Sequence, residues 1–294
     1  MQYPVARFDL SVCVNSGQVF RWRKLADGSW LGVDGDAWYR AYPPVLLDAG
    51  QAEMRVESNV GEARFRDLFR LDWDADEIEA EILRLAPEME PYMQTFAGLR
   101  LMKPSSAEET FFCFLCTPNN NIARITQMTA HLGSYGPAID TVGGVKLHAF
   151  PNVQQIADLS ESELRAKAFG YRAATIPNAA RQVLERGEDW IIGLRNVPYE
   201  EARRELMGIK GIGPKLADCI ALFALHHTEA VPIDTHIWQA FTRLYYPEWK
   251  DKAVTDSRYR EASESFRKRF GTLTGWAHQY LFYDNMINWR SRNV

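Results

Sequence analysis

The sequence predicts an α+β protein in which an N-terminal antiparallel β-sheet domain precedes a larger all-helical region. From Phe8 to about Val56, short runs rich in β-branched and aromatic residues alternate with glycines, which is typical of strands joined by tight turns. After Leu68, apolar residues recur with a helical period, and Pro, Gly and Asn breaks separate further helical patterns up to the C-terminus. We therefore expect a β-rich domain over 1–100, with which the C-terminal helix can pack, and a helical region over 101–294.

The predicted strands follow one another at short intervals. They cover residues 8–14, 19–23, 30–33, 37–40 and 44–47. Short connections of this kind join antiparallel neighbours, because parallel strands need a long crossover. Beyond the sheet, the first predicted helix carries Ile78, Ile82 and Leu85 on one stripe.

Length and composition are those of an ordinary globular protein. The chain has 294 residues, of which 46% are hydrophobic, enough apolar material for one large domain or two smaller ones. The N-terminus lacks a secretory signal pattern, and no segment approaches the ~20 apolar residues that would cross a bilayer. We expect an intracellular protein with no membrane partner, located in the cytoplasm or nucleoid if the source is bacterial.

The net charge of −4 argues weakly against a nucleic acid partner. Proteins that neutralise phosphates usually carry a basic excess. The acidic residues, however, are concentrated in 72–90, where Arg84 is the one basic residue. The rest of the chain is therefore closer to balance, and a local basic face is compatible with this distribution.

The cysteines carry no strong functional signal. The chain has four of them, Cys13, Cys113, Cys116 and Cys219, too few and too scattered for a disulfide framework. Cys113 and Cys116 form a C-x-x-C pair with apolar residues between them and no second Cys/His pair at metal-ligand spacing. A buried helix face is therefore favoured over a metal site.

A glycine-rich hairpin separates two helical patterns within 206–225. The first helix ends near Met207, Gly211 and Gly213 allow a tight turn, and Pro214 suits the first position of the next helix. This arrangement is a helix-hairpin-helix motif. Free backbone N–H groups at the start of the second helix can hold a DNA phosphate, whereas the same pattern can also be an ordinary turn between helices.

Lys215 lies in the first turn of the second helix, where the helix dipole disfavours a positive charge. A nucleophilic amine must be neutral, and desolvation together with the helix N-terminus should lower the pKa of this lysine from about 10.4. Position alone favours an ordinary solvated surface lysine, with a nucleophile as the alternative; the segment around Asp234 shifts the balance towards the nucleophile.

Asp234 precedes another helical pattern, in the segment Ala-Val-Pro-Ile-Asp-Thr-His. In that place it is a natural N-cap. Its carboxylate could also stabilise the oxocarbenium-like charge that develops at C1′ of a sugar losing its base. One side chain can fill both roles.

The combination of Gly-Ile-Gly-Pro-Lys with Val-Pro-Ile-Asp-Thr-His resembles the signature of the helix-hairpin-helix (HhH-GPD) DNA glycosylase superfamily. By this resemblance, Lys215 and Asp234 are the catalytic pair of a bifunctional glycosylase and AP lyase that acts through a lysine Schiff base. Gly211 and Gly213 belong to the DNA-binding hairpin. The resemblance also implies a monovalent cation, Na⁺ or K⁺, at the carbonyls of 208–213, and no other cofactor.

Further motifs resemble the 8-oxoguanine DNA glycosylases of this superfamily. Asn-Asn-Asn-Ile-Ala-Arg implies that Asn119 fills the gap left by the flipped nucleotide and that Arg124 contacts the orphaned cytosine. Phe-Gly-Tyr-Arg-Ala implies an aromatic wedge at Tyr171 and a second cytosine contact at Arg172. His236 is expected to contact the 5′ phosphate or to orient its neighbour, with a packed structural histidine as the alternative.

The base pocket is implied by Ser-Gly-Gln-Val-Phe-Arg-Trp and Gly-Trp-Ala-His-Gln-Tyr-Leu-Phe. The carbonyl of Gly17 would accept the N7–H that 8-oxoguanine has and guanine lacks. Phe282 would stack on one face of the base, and Cys219 would pack against the other. His278 stands where animal and fungal members have a glutamine that meets the Watson–Crick edge; a neutral histidine offers one donor and one acceptor, which leaves lesion strictness open.

The resemblance spans the chain from Ser16 to Phe282. It implies a base-excision repair enzyme that binds double-stranded DNA as a monomer, removes 8-oxoguanine opposite cytosine and cleaves the strand by β-elimination. Three alternatives are a monofunctional glycosylase of the same fold for alkylated bases, a non-enzymatic helix-hairpin-helix DNA-binding protein, and a C-x-x-C metal or redox protein. The presence of Lys215 argues against the first.

Overall fold

The computed structural model describes residues 1–4, 7–47 and 52–292, with side chains up to residue 288. Within these ranges the chain begins with a six-stranded sheet, in which the strand order is β1-β6-β4-β3-β2 and β5 pairs with β6. All of its pairings are antiparallel, as predicted. The strands are β1 (Gln2–Pro4), β2 (Trp22–Lys24), β3 (Trp30–Asp34), β4 (Ala37–Ala41), β5 (Val45–Leu46) and β6 (Ala52–Ser58).

The first predicted strand is wrong, because this segment forms helix α1 (Leu10–Asn15). The side chain of Asp9 accepts the N–H of Val12 at 2.9 Å and so caps the helix. The apolar residues of the segment also fit a helix, since those that are buried lie three and four positions apart: Leu10, Cys13 and Val14. So short a segment is compatible with both a helical and a strand period, and the N-cap at Asp9 favours the helix.

The rest of the described chain is mostly helical, and the predicted fold class is confirmed. Helix bounds are α2 (Glu62–Leu68), α3 (Ala75–Leu85), α4 (Glu90–Thr95), α5 (Ala107–Leu115), α6 (Ile122–Gly133), α7 (Val153–Ala157), α8 (Glu161–Ala166), α9 (Arg172–Arg186), α10 (Trp190–Gly193), α11 (Tyr199–Met207), α12 (Pro214–Phe223), α13 (Thr235–Leu244), α14 (Asp256–Phe270) and α15 (Thr274–Arg292).

A β-hairpin lies within this helical region, and the sequence analysis did not include it. Its strands are β7 (Ala138–Val142) and β8 (Val145–His148). Gly143 and Gly144, with φ of +58° and +76°, form the two-residue turn between them. A Gly-Gly pair between two short β-prone runs is a known hairpin signal, so the sequence did carry the information.

Helix α15 contacts the N-terminal segment as well as the helices. Gln279 Nε2 donates to the carbonyl of Ser16 at 2.6 Å, and Tyr280 OH donates to Glu79 at 3.0 Å. Helix α13 packs along α15 in the helical region. The helix thus fixes the segment around Gly17 relative to the helices that carry the remaining predicted site residues.

Cys113 and Cys116 are buried in and just after α5, as expected of a helix face in the core. Across the residues that the structure describes, none of the helices combines the length and the apolar character needed to span a bilayer.

Candidate active site

The hairpin between α11 and α12 has the predicted form. Helix α11 ends at Met207, Gly211 adopts a φ of +99°, and Pro214 is the first residue of α12. Gly213 is the N-cap of α12 and has no side chain with which to bond the first N–H groups of the helix. No described atom beyond its chain neighbours lies within 4 Å of the position that a Cβ at Gly213 would take. A ligand can therefore approach this backbone closely.

Lys215 and Asp234 are presented by two neighbouring helix starts. Lys215 lies in the first turn of α12 and is half-buried. Asp234 is the N-cap of α13, where its side chain accepts the N–H of Ile237 at 3.0 Å. This confirms the predicted capping role and leaves the second carboxylate oxygen of Asp234 for other partners.

The pKa of Lys215 is raised, not lowered as the sequence analysis predicted. Burial lowers the pKa of this amine, but Cys219, with which it hydrogen-bonds, and the carboxylate of Asp234 together raise it by more. Burial in turn raises the pKa of the Cys219 thiol to about 11. The prediction was wrong because the sequence does not reveal these partners. In the free protein Lys215 is an ammonium, so it must lose a proton before it can act as a nucleophile.

One cavity of about 890 Å³ brings the predicted catalytic and base-pocket residues together. Its volume is within the range of roughly 300–1,000 Å³ that small-molecule sites span. Predicted site residues in its lining are Gly17, Asn119, Lys215, Cys219, Asp234, His236, His278 and Phe282. Segments that are far apart in the sequence, from the N-terminal segment to α15, therefore meet at one site.

We use the name base pocket for the part of this cavity formed by Gly17, Cys219, His278, Gln279 and Phe282. The rings of His278 and Phe282 are stacked, with centroids 6.0 Å apart and an interplanar angle of 11°. A Cβ at Gly17 would come within 2.9 Å of the Phe282 ring, and the φ of Gly17 is +77°. Only glycine fits both the backbone conformation and the aromatic neighbour there.

His278 is buried and neutral. Its Nε2 lies 2.9 Å from the carbonyl oxygen of Pro232. Burial lowers the pKa of His278 to about 4. The ring of His236 also packs against Phe282, nearly perpendicular to it, with centroids 5.9 Å apart.

We call Asn119, Arg124, Tyr171 and Arg172 the wedge residues. They lie in and beside the loops that precede α6 and α9, and hydrogen bonds join the two loops. The Tyr171 hydroxyl donates to the Pro118 carbonyl at 3.1 Å, and Arg124 donates to a carbonyl of the loop before α9 at 2.8 Å. Tyr171 is 51% exposed, and Asn119 is exposed with a φ of +51°.

Arg172 differs from the other wedge residues because it is buried, with 3% of its surface exposed. Its guanidinium donates to the carbonyls of Pro118 and Asn119 and packs over the ring of Tyr171. In this conformation Arg172 holds the loop that carries Asn119. A contact with cytosine would require it to give up these carbonyls, and its DNA-binding role stays a prediction.

Gln279 lines the cavity beside His278, and the sequence analysis did not select it. Its Nε2 bonds the Ser16 carbonyl, one residue before Gly17. Adjacent residues of a helix point about 100° apart, so the pattern gave no reason to place both in one pocket. In the structure, both residues line the same cavity, which therefore extends over two faces of α15.

A buried polar cluster connects α12 to the segment before Asp234, and the sequence analysis did not identify it either. Asp218 accepts hydrogen bonds from Tyr199 at 2.7 Å, from Arg203 at 2.8 Å and from Tyr259. The Tyr259 hydroxyl also accepts the N–H of Ile233 at 3.3 Å. An aspartate on the apolar face of α12 was the signal, because a charge there needs buried partners.

The hairpin carbonyls are the ligand type that a hard cation takes. The Gly208 carbonyl accepts from Arg186 at 3.4 Å, and that of Ile209 accepts the N–H of Ile212 at 3.1 Å. A carbonyl oxygen has two lone pairs, so these bonds are compatible with a cation, which stays a prediction at 208–213. In the part of the chain that the structure describes, no group of three or more His, Cys, Asp or Glu side chains is arranged to hold a metal ion.

An open helix start at a glycine hairpin, next to a cavity with a lysine and a carboxylate, defines a helix-hairpin-helix protein with a ligand pocket beside its hairpin. Residues 112–268 match the family model of the HhH-GPD superfamily of base excision DNA repair proteins, and residues 1–109 match that of the 8-oxoguanine DNA glycosylase N-terminal domain. The first match covers more than half of the chain, which therefore belongs to the HhH-GPD superfamily. The family resemblance in the sequence is confirmed.

Individual relatives agree with this assignment. The N-glycosylase/DNA lyase OGG1 of Arabidopsis thaliana is 31% identical over 272 residues, which cover 91% of this chain and 74% of the relative. A solved structure described as MBOgg1 in complex with a low affinity DNA ligand has a TM-score of 0.82 at 27% identity, covering 99% of this chain and 94% of its own. The 8-oxoguanine glycosylase/lyase of Clostridium acetobutylicum, bound to double-stranded DNA, shares the fold with a TM-score of 0.82 at 24% identity, over 100% of this chain and 99% of its own.

Proposed function

We propose that this protein is a bifunctional base-excision repair enzyme that removes 8-oxoguanine from double-stranded DNA and then cleaves the abasic strand. The observation that carries the proposal is that Lys215 and Asp234 line one cavity directly beside the hairpin. The match of residues 1–109 to the 8-oxoguanine glycosylase N-terminal domain and the glycosylase/lyase relatives support this choice of substrate and activity.

Binding of the duplex begins at the hairpin and the wedge residues. The uncapped N–H groups at the start of α12 hold a backbone phosphate, whose charge the helix dipole favours. The exposed ring of Tyr171 inserts at the lesion and offsets part of the few kcal/mol that base extrusion costs. Asn119 fills the gap, and Arg124 with Arg172 contacts the cytosine left behind.

The extruded base enters the base pocket. Phe282 lies against one of its faces and Cys219 against the other. The carbonyl of Gly17 accepts the N7–H of 8-oxoguanine, whereas guanine would bring a lone pair to the same oxygen. The left-handed backbone of Gly17, packed closely against Phe282, supports this role because it fixes the position of the peptide.

In the chemical step, Nζ of neutral Lys215 attacks C1′ while the bond from C1′ to the base breaks; the departing base takes the electron pair of that bond and the proton that Nζ loses on forming the new bond. Asp234 stabilises the positive charge that develops at C1′. The adduct opens the sugar ring to a Schiff base between Lys215 and C1′. The released base then accepts a proton from C2′, and the C3′–O bond breaks with its electron pair leaving on the 3′ phosphate, which nicks the strand.

Lys215 must be deprotonated before it attacks, because its pKa is raised in the free protein. The Cys219 thiol is not a ready acceptor at neutral pH, because its own pKa is about 11. The activity should therefore rise with pH above neutrality. Two further groups act on the DNA backbone and not on the protonation of Lys215. A cation at 208–213 would add positive charge beside the phosphate bound at the hairpin. His236 would contact the phosphate on the 5′ side of the lesion.

The test is cleavage of a duplex with one 8-oxoguanine opposite cytosine, followed on a denaturing gel without added base. The wild-type protein should nick the strand at the lesion, and Lys215→Gln should bind the duplex without nicking it. Base release without a nick in the wild-type protein would instead indicate a monofunctional glycosylase, and binding without either product would leave a DNA-binding protein only.

A further inference from the structure

The buried polar cluster around Asp218 lies close in the chain to Lys215. Asp218 follows Lys215 by three residues on α12, a rise of about 4.5 Å along the helix. Its carboxylate is fully buried and accepts hydrogen bonds from Tyr199, Arg203 and Tyr259. Neither Asp218 nor Tyr259 is among the described residues that line the cavity. The cluster can therefore influence the reaction only through residues that do line it.

The hydroxyl of Tyr259 joins this cluster to the segment that precedes Asp234. Its one proton is donated to the carboxylate of Asp218, and one of its lone pairs accepts the N–H of Ile233 at 3.3 Å. Ile233 is the residue directly before Asp234 in the chain. A single oxygen atom thus connects the helix that carries Lys215 with the backbone that carries Asp234.

The segment 231–233 depends on side chains for its position, because it belongs to no helix or strand. Backbone groups outside regular elements take their hydrogen-bond partners from side chains or water. The Tyr259 hydroxyl bonds the N–H of Ile233 and is also 3.3 Å from a carbonyl of the same segment. His278 contacts the carbonyl of Pro232 at 2.9 Å. Side chains from α14 and α15 therefore set the path of the chain into α13.

Stability alone does not explain why the cluster is polar. The charged groups of Asp218 and Arg203, whose nearest atoms are 2.8 Å apart, are costly to desolvate. Apolar side chains of similar volume often stabilise a fold as well as such a buried ion pair, or better. Hydrogen bonds differ from apolar contacts because they fix distance and direction. A polar cluster thus suits a place where two segments must keep a defined relative position.

We propose that Tyr259 is a positioning residue that fixes Asp234 relative to Lys215. It does so through its two bonds, to the carboxylate of Asp218 and to the N–H of Ile233. This inference rests on the proposed function, in which Asp234 stabilises the charge at C1′ while Lys215 attacks the same carbon. A misplacement of about 1 Å can cost roughly 100-fold in rate. Loss of the Tyr259 hydroxyl should therefore slow the chemical step without weakening binding of the duplex.

The experiment compares Tyr259→Phe with the matched control Tyr199→Phe. Each substitution keeps the ring and removes one donor to Asp218, so both should lower Tm to a similar extent. Only Tyr259→Phe also breaks the bond to Ile233. Single-turnover excision of 8-oxoguanine at saturating enzyme should fall about 10- to 100-fold in Tyr259→Phe and stay within about 3-fold of wild type in Tyr199→Phe. The Kd for the duplex should change by less than about 3-fold in both variants.

A second comparison uses Asp234→Asn as the background. If Tyr259 acts by placing the carboxylate of Asp234, its hydroxyl has nothing left to place once that carboxylate is gone. Adding Tyr259→Phe to Asp234→Asn should then slow excision by less than about 3-fold further. A structural defect unrelated to Asp234 would instead multiply the two losses, because the effects of independent sites add in free energy.

Three results would overturn the inference. They are equal excision rates in Tyr259→Phe and Tyr199→Phe, losses that multiply in the double variant, and a loss in Tyr259→Phe that disappears once weaker binding of the duplex is overcome at saturating enzyme. Failure of Tyr259→Phe to fold, where Tyr199→Phe folds, would show a structural role and would overturn it as well.

Failure of the proposed function would look different, because the wild-type protein itself would leave 8-oxoguanine in the duplex. Wild-type excision, combined with equal rates in Tyr259→Phe and Tyr199→Phe, would sustain the proposed function and refute this inference alone.

Discussion

The base pocket and the wedge residues differ in how their polar atoms are bonded. In the base pocket, Nδ1 of His278 and Oε1 of Gln279 lack partners among the described residues, while the opposite atoms of both groups are fixed by backbone carbonyls. Among the wedge residues, Arg124, Tyr171 and Arg172 donate to backbone carbonyls, and only the buried Nε of Arg172 lacks a partner among the described residues. The wedge residues are therefore held mainly by bonds within the protein, whereas the base pocket has two buried polar atoms without a partner among the described residues.

This difference indicates two modes of recognition. A preformed pocket loses little conformational entropy when a base enters it, and it discriminates through atoms that are already in place. Under the proposed function, the wedge residues would exchange bonds to Pro118, Asn119 and Ala168 for contacts with DNA. Substitutions in the pocket should therefore change chemistry and selectivity, and substitutions in the wedge should change the cost of base extrusion.

The largest effect in the pocket is expected for Asp234→Asn. Asparagine is as good an N-cap as aspartate, so Tm should move by no more than about 2 °C. The carboxylate proposed to stabilise charge at C1′ is lost, and single-turnover excision should fall roughly 100- to 1,000-fold. A fall of less than 3-fold would leave Asp234 with its capping role only.

The same substitution has a second, distinguishable consequence. Asp234 is one of the negative charges that raise the pKa of Lys215, so its removal lowers that pKa. The alkaline rise of the residual activity of Asp234→Asn should therefore begin at a lower pH than in the wild type. Comparison of the pH profiles of the two proteins checks this. An unshifted profile would mean that Asp234 does not raise the pKa of Lys215.

The buried His278 predicts a pH dependence of stability. Its pKa is lowered to about 4 in the folded state, against about 6.5 when unfolded. As the pH falls below 6.5, the unfolded chain binds a proton that the folded protein excludes, so stability is lost until about pH 4. The loss amounts to roughly 3 kcal/mol. Urea unfolding between pH 7 and 4 should show a shallower loss for His278→Gln than for wild type, and equal slopes would contradict the lowered pKa.

A smaller effect is expected in the wedge, at Tyr171. Stacking between a base and an aromatic ring contributes about 1–3 kcal/mol, so Tyr171→Ala should slow excision from the duplex about 10-fold. Tyr171→Phe is the matched control, since it keeps the ring and loses only the bond to Pro118. Its excision rate should stay within about 3-fold of the wild type. Equal losses in both variants would mean that the hydroxyl bond, and not the ring, is what matters.

Local signals made the hairpin and the cap of α13 predictable from the sequence, whereas the base-pocket and wedge residues came from the family resemblance. Gly211, Gly213 and Pro214 determine the hairpin, and Asp234 caps α13 as its place before a helical pattern indicated. These features depend on backbone conformation within a few residues, which a sequence records directly. The segment 8–14 shows the limit of such reasoning. Its apolar residues suggested a strand, whereas capping by Asp9 favours the helix that is observed.

Contacts between distant segments were not predictable in the same way. The raised pKa of Lys215 depends on Cys219 and Asp234, and the burial of Arg172 depends on a loop more than 50 residues away. Gln279 is held in the pocket by its hydrogen bond to the carbonyl of Ser16, a residue near the other end of the chain. No local pattern encodes these partners, since they exist only once the segments have packed together.

The most direct test of the account is borohydride trapping on a duplex with 8-oxoguanine opposite cytosine, followed by mass spectrometry of the adduct. Reduction of the Schiff base should join the DNA covalently to the peptide that contains Lys215, and Lys215→Gln should give no adduct. Cross-linking at another lysine, or complete excision by the wild-type protein without any adduct, would contradict the assignment of Lys215 as the nucleophile.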